Sequence, residues 1–131
     1  MTHLPQLVVL LAAALVFATI VLTGRARMKY GIKAPAVTGH PGFERAYRVQ
    51  MNTLEQTVLF LPVLWLAAAY GHPAWAGLLG LIWLIGRTWY IFSYLNNPVR
   101  RGPPFGLAML AWLLLFVLAA WGVGRLLLSP A

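Results

Sequence analysis

The chain has 131 residues, 61% of them hydrophobic and only 9% charged, with ten Lys and Arg against two Asp and Glu for a net charge of +8. Soluble domains average about 45–50% apolar and about 25% charged residues. A chain this short cannot hide such an excess inside a globule, so a wholly water-exposed fold is excluded and the solvent is partly lipid. The absence of cysteine excludes a disulfide framework, a thiolate metal site and a cysteine nucleophile.

Four apolar runs, roughly residues 6–24, 48–70, 74–96 and 104–128, each come near the ~20 residues a helix needs to cross ~30 Å of hydrocarbon. They predict an all-α membrane protein: a four-transmembrane-helix up-down bundle, one domain over residues 1–131. The first run has no basic segment before it and leads straight into Arg25 and Arg27, so it reads as a retained anchor rather than a cleaved signal. The first joint holds Arg25, Arg27, Lys29, Lys33, Arg45 and Arg48 against Glu44 alone, and Pro35, Gly39, Pro41 and Gly42 break it. The second run contains Pro62, which predicts a bend that serves packing. The second joint, Gly71-His72-Pro73, has no Lys or Arg, and Trp65, Tyr70 and Trp75 beside it suit an interfacial aromatic belt. The third joint runs from Asn96-Asn97-Pro98 through Arg100 and Arg101 to Gly102-Pro103-Pro104.

This asymmetry predicts a multi-pass integral membrane protein with loops one and three cytoplasmic and both termini across the membrane, Arg125 dissenting. The membrane is the inner membrane for a bacterial chain, or the endoplasmic reticulum for a eukaryotic one. Because the cations crowd into two short polar joints, anionic lipid headgroups or an anionic substrate are the expected partners, not nucleic acid. His3, His40 and His72 lack metal-ligand spacing, and no metal is expected.

Polar residues inside the runs are the functional signal, because ionisable groups at membrane depth are costly and face a bundle interior, a partner or a water-filled cavity. Arg48, Asn52 and Glu55 are spaced i, i+4, i+7 and share one helix face. Arg87, Tyr90 and Tyr94, spaced i, i+3, i+7, form a second polar face approaching the same end. Arg27, Arg100 and Arg101 arrive there from the joints. Arginines with two tyrosines and one buried glutamate suit a small ligand with two carboxylates and one ammonium. Each piece also has a plainer reading: arginines as topology determinants, tyrosines as belt or packing residues, and Glu55 paired with Arg48 or Arg87 to join helices. Gln50 points about 200° from Arg48 and so serves a different face, such as a site shared with a neighbouring subunit.

The run Phe43-Glu44-Arg45-Ala46-Tyr47-Arg48-Val49-Gln50-Met51-Asn52-Thr53-Leu54-Glu55, then Leu59-Phe60-Leu61-Pro62-Val63-Leu64-Trp65, closely resembles the signature of the MAPEG family. These are membrane-associated proteins in eicosanoid and glutathione metabolism, among them microsomal glutathione transferases, leukotriene-C synthase and the lipoxygenase-activating protein. The pattern Arg87-x-x-Tyr90-x-x-x-Tyr94 ahead of Arg100-Arg101 extends the resemblance over nearly the whole chain. It implies a homotrimer of four-helix protomers that binds glutathione, as a thiol co-substrate, between adjacent subunits on the cytoplasmic side. Arg48, Asn52, Glu55, Tyr90 and Tyr94 match glutathione-contacting positions, Arg27 an arginine on a glutathione carboxylate, and Gln50 a contact from the neighbouring subunit. Arg101 matches the arginine set against the thiol, with Arg100 the alternative if the joint shifts by one, and Arg87 matches a structural or accessory arginine.

The implied activity is that of a membrane glutathione transferase, with or without glutathione-dependent peroxidase activity, acting on a lipophilic electrophile or lipid hydroperoxide drawn from the bilayer. Gln56 stands where leukotriene-C synthase has a tyrosine, and Met28 where it has a basic residue; the second departure argues against that enzyme's chemistry and for a broader detoxifying enzyme. Two rivals remain. A non-catalytic lipid-binding scaffold of the same family is disfavoured by Arg101 and the complete ligand set. A small multidrug exporter would need a glutamate in its first helix, where this chain has no acidic residue.

Overall fold

The computed structural model describes residues 1–130. Helix α1 spans Leu4–Tyr30, α2 Pro41–Leu66, α3 Pro73–Asn96 and α4 Gly102–Leu128. A five-residue π-helical turn, Ala67–Gly71, follows α2, and a 3-10 turn, Pro98–Arg101, precedes α4. All four helices are long and apolar enough to cross a membrane, and no strand occurs among the described residues.

The helix ends differ from the hydropathy boundaries, and the caps explain why. α1 continues six residues beyond the expected 24, because Arg25, Arg27 and Lys29 are good helix formers that merely leave the apolar zone. It stops where Gly31 takes φ 67°, open to glycine at little cost, and the Gly31 and Ile32 N–H groups both return to the Arg27 carbonyl. α2 begins seven residues before the expected 48: the His40 imidazole Nδ1 accepts from the Gly42 N–H at 3.0 Å, Pro41 opens the helix and Glu44 lies in its first turn. The first joint thus shrinks to residues 31–40. Pro103 and Pro104 start α4 rather than break the chain, since a first-turn residue needs no N–H partner.

With joints this short, consecutive helices run antiparallel. α3 packs against α4, α1 and α2, and α1 against α2. The core gathers Val8, Ala12, Phe60, Leu64, Trp83, Ala111 and Leu115, with the Phe60 and Trp83 rings stacked at 3.8 Å. Helices without a hydrophobic drive between them associate through small residues. Gly86 is one: a Cβ there would stand 2.9 Å from the Ala108 backbone nitrogen. Outside, Phe17, Val58, Ile85, Phe92 and Val117 each leave 61–66% of their surface uncovered, as lipid-facing side chains do.

Two polar stitches reinforce the bundle, one at mid-depth and one at the end opposite loops one and three. Pro62 removes one helical donor, and nearby the Trp112 indole donates to the Leu59 carbonyl at 2.9 Å, tying α4 to α2. Arg125, the residue that dissents from the charge asymmetry, donates to the Tyr70 carbonyl at 3.0 Å and lies over the Trp121 ring at 4.0 Å. Its cation closes the π-helical turn.

Candidate functional site

A cleft of ≈ 560 Å³ opens near the third joint, lined by Arg48, Met51, Asn52 and Glu55 from α2, Tyr90 and Tyr94 from α3, and Arg101, Gly102 and Phe105 beyond it. That volume lies within the ~300–1,000 Å³ of small-ligand sites. Its α2 wall is the i, i+3, i+4, i+7 face of one helix, so a single register places guanidinium, amide and carboxylate side by side. The α3 wall is aromatic. The Tyr90 and Tyr94 rings stack at 5.8 Å, Phe105 packs on Tyr90 at 6.0 Å, and the Arg101 guanidinium sits 5.8 Å from the Tyr94 ring centre.

Six of the eight residues singled out from the sequence therefore meet: Arg48, Asn52, Glu55, Tyr90, Tyr94 and Arg101. Arg27 and Gln50 are not on this cleft's lining. Arg27 instead donates to the Ala36 carbonyl at 2.8 Å and lies over the Phe43 ring at 4.8 Å, ordering the first joint. Gln50 lies half-buried on another face of α2, as its angular offset requires. Of the two adjacent arginines, Arg101 lines the cleft and Arg100 does not.

One expectation changes. Glu55 is exposed at the cleft on the single chain, not buried. Arg87 does not make the plainer pairing with Glu55: wholly buried at 0% exposure, it donates to Asn52 Oδ1 and to Thr53 Oγ1, both at 2.8 Å, and stacks over Tyr90 at 4.4 Å. Its Nε finds no partner. A guanidinium can only donate, so Asn52 must turn its carbonyl oxygen to Arg87. The Asn52 NH₂ is then the group left for the cleft. Arg87 thus fixes the polarity of a site residue from behind. The sequence showed Arg87 but not this pairing, because Asn52 and Arg87 are 35 residues apart. Met51 and Phe105, which supply apolar wall, and His40 and His72, whose Nδ1 atoms cap α2 and α3, carried no distinguishing sequence signal.

Chemically, the cleft offers two guanidinium groups, one carboxylate, an amide donor and two phenols around an aromatic floor. Such a set matches a zwitterionic ligand with more than one carboxylate.

Comparison with known proteins bears on which family the chain belongs to. The chain is 38% identical over 102 residues to microsomal glutathione S-transferase 2 of Homo sapiens, covering 78% of this chain and 69% of that one. It is 41% identical over 92 residues to leukotriene C4 synthase of Cavia porcellus, covering 70% and 61% respectively. It is 45% identical over 113 residues to an uncharacterized protein of Synechocystis sp., covering 86% and 82%. A family model for MAPEG matches residues 5–121, from the first turn of α1 to near the end of α4. A match that spans all four helices and the whole cleft settles kinship: this chain belongs to the MAPEG family.

Proposed function

We propose that the protein is an integral membrane glutathione transferase that activates the glutathione thiol with Arg101. One observation carries the reading: Arg48, Asn52, Glu55, Tyr90, Tyr94 and Arg101 line one cleft. Glutathione presents two carboxylates, one ammonium and a thiol. Glu55 receives the ammonium, Arg48 a carboxylate, and the Asn52 amide and tyrosine hydroxyls complete the polar contacts. Arg101 stands at the sulfur. A free thiol with pKa near 8.5 is mostly protonated at pH 7, and a neighbouring guanidinium favours the thiolate without giving up its own proton.

The thiolate then attacks an electrophilic carbon of a lipophilic substrate; with an aryl halide, a C–S bond forms and halide leaves. With a lipid hydroperoxide it attacks the outer oxygen, the alcohol departs, and a second glutathione thiol converts the oxidised sulfur to the disulfide with loss of water. The protein supplies no nucleophile, in keeping with the absence of cysteine.

The proposal includes a homotrimer. Two carboxylates and a thiolate ask for three cations, and the cleft of one protomer holds two, Arg48 and Arg101. Arg27 and Gln50, which lie elsewhere on the protomer, are assigned to the cleft of the adjacent subunit. Loops one and three, and with them the cleft, face the cytoplasm in this reading. The non-catalytic scaffold is the alternative, and Arg101 in the cleft lining favours the enzyme.

Calorimetry of the purified protein with glutathione, followed by a conjugation assay with an aryl halide, tests the proposal. Saturable binding with turnover supports it. Absence of glutathione binding, or binding without turnover, overturns the transferase and leaves the lipid-binding scaffold as the better account.

A further inference from the structure

A second polar pocket, of ≈ 330 Å³, sits at the loop-one end of α1 and α2, away from the glutathione cleft. Arg25, Lys29 and Arg45 bring three cations to it, Tyr30 adds a phenol, and Leu22 and Leu95 contribute apolar lining. No acidic residue lines it. Arg25 and Lys29, one turn apart, lie about 200° around α1 from Arg27, so they look away from the side assigned to the neighbouring subunit. Tyr30 is fixed in place: its ring stacks on His40 at 3.9 Å and lies against Gly42, where any Cβ would collide with it.

Below this pocket, toward the bilayer centre, a groove of ≈ 690 Å³ runs between α1 and α3. Its lining is almost wholly apolar, with Leu11, Ala14 and Leu15 on one wall and Leu84, Ile85 and Phe92 on the other. The two features follow one another along the same helices, Leu15, Leu22 and Arg25 on α1 and Phe92 and Leu95 on α3. Leu15 from the groove and Leu22 and Leu95 from the pocket pack on one cluster of Val49, Ile91 and Tyr94. From Leu81 to Leu95 the shared α3 wall is about 21 Å long at 1.5 Å per residue, enough to cover one leaflet, half of ~30 Å.

We propose that this is a specific site for an anionic phospholipid, its phosphate held by Arg25, Lys29 and Arg45 and one acyl chain lying in the α1–α3 groove. Charge selects the occupant. A zwitterionic headgroup would bring its own cation into a pocket that already holds three and offers no carboxylate. A soluble anion would leave the groove unfilled, and only a molecule with both parts matches a basic pocket set above an apolar trough. The site owes nothing to glutathione and shares no residue with its cleft.

The test is native mass spectrometry of the detergent-purified protein titrated with phosphatidylglycerol or phosphatidylcholine, with thermal unfolding measured in parallel. Wild type retains phosphatidylglycerol in preference to phosphatidylcholine and is stabilised by it. Combining Arg25→Gln, Lys29→Gln and Arg45→Gln removes the preference. At about five-fold per juxtamembrane cation, phosphatidylglycerol affinity falls about 100-fold. Ala14→Phe, which fills the groove without touching a charge, lowers retention of phosphatidylglycerol while glutathione binding persists. Equal retention of the two lipids, or unchanged retention in both variants, overturns the proposal. Equal stabilisation by inorganic phosphate reassigns the pocket to a soluble anion and also overturns it. A change of oligomeric state in Ala14→Phe overturns it in favour of a subunit contact.

Discussion

Replacing Arg87 with Met isolates what a buried guanidinium does for a ligand it does not touch. The side chain makes two hydrogen bonds, to Asn52 Oδ1 and Thr53 Oγ1, each at 2.8 Å, while its Nε has no partner. Arg87→Met leaves the buried Thr53 hydroxyl short of one donor, at a cost of about 1–3 kcal/mol. Removing a partly unsatisfied buried cation offsets some of that loss, so the variant folds with a small fall in thermal stability. The ligand pays more. Without Arg87, nothing holds the Asn52 oxygen away from the cleft, and the amide turns freely. Losing one hydrogen bond to a charged ligand group costs about 1.5–3 kcal/mol, or about 10- to 150-fold in affinity. Calorimetry with glutathione on wild type, Arg87→Met, Asn52→Ala and the double variant reads this directly. The two losses should fail to add, because both remove the same donated bond. Full additivity, or wild-type affinity in Arg87→Met, would refute the idea that Arg87 orients Asn52.

Four further outcomes are expected. Arg48→Ala and Glu55→Ala should each weaken glutathione binding at least ten-fold by calorimetry, since losing a hydrogen bond between charged groups costs about 1.5–3 kcal/mol; tight binding by both folded variants would dismiss the cleft. Arg101→Ala should shift the bound thiol's titration to higher pH and lower turnover at neutral pH, with a smaller change in affinity, as followed by thiolate absorbance; a shift in Arg100→Ala instead would move the role back one residue. Native mass spectrometry should find a trimer, and an active monomer would rule out the shared site. Gly86→Val should lower the unfolding temperature markedly, because the Ala108 backbone that a side chain would meet at 2.9 Å cannot yield.

The linear chain determined much of this protein by itself. Four apolar runs imposed four helices, since in hydrocarbon a single segment must satisfy its own backbone. The i, i+4, i+7 spacing of Arg48, Asn52 and Glu55 put them on one face before any neighbour was known. Helix ends were less legible: hydropathy marks where lipid stops, whereas Gly31 and the His40 cap decide where α1 stops and α2 starts. Tertiary structure alone decided what stood beyond a single helix's reach. It made Arg87 a clamp on Asn52 and Thr53, and left Glu55 open at the cleft. It also joined Arg25 and Lys29 on α1 with Arg45 on α2 in a pocket of their own. Side-chain periodicity is a property of one helix, but a guanidinium takes whichever acceptor the packed neighbour presents, and no spacing in the chain records that choice.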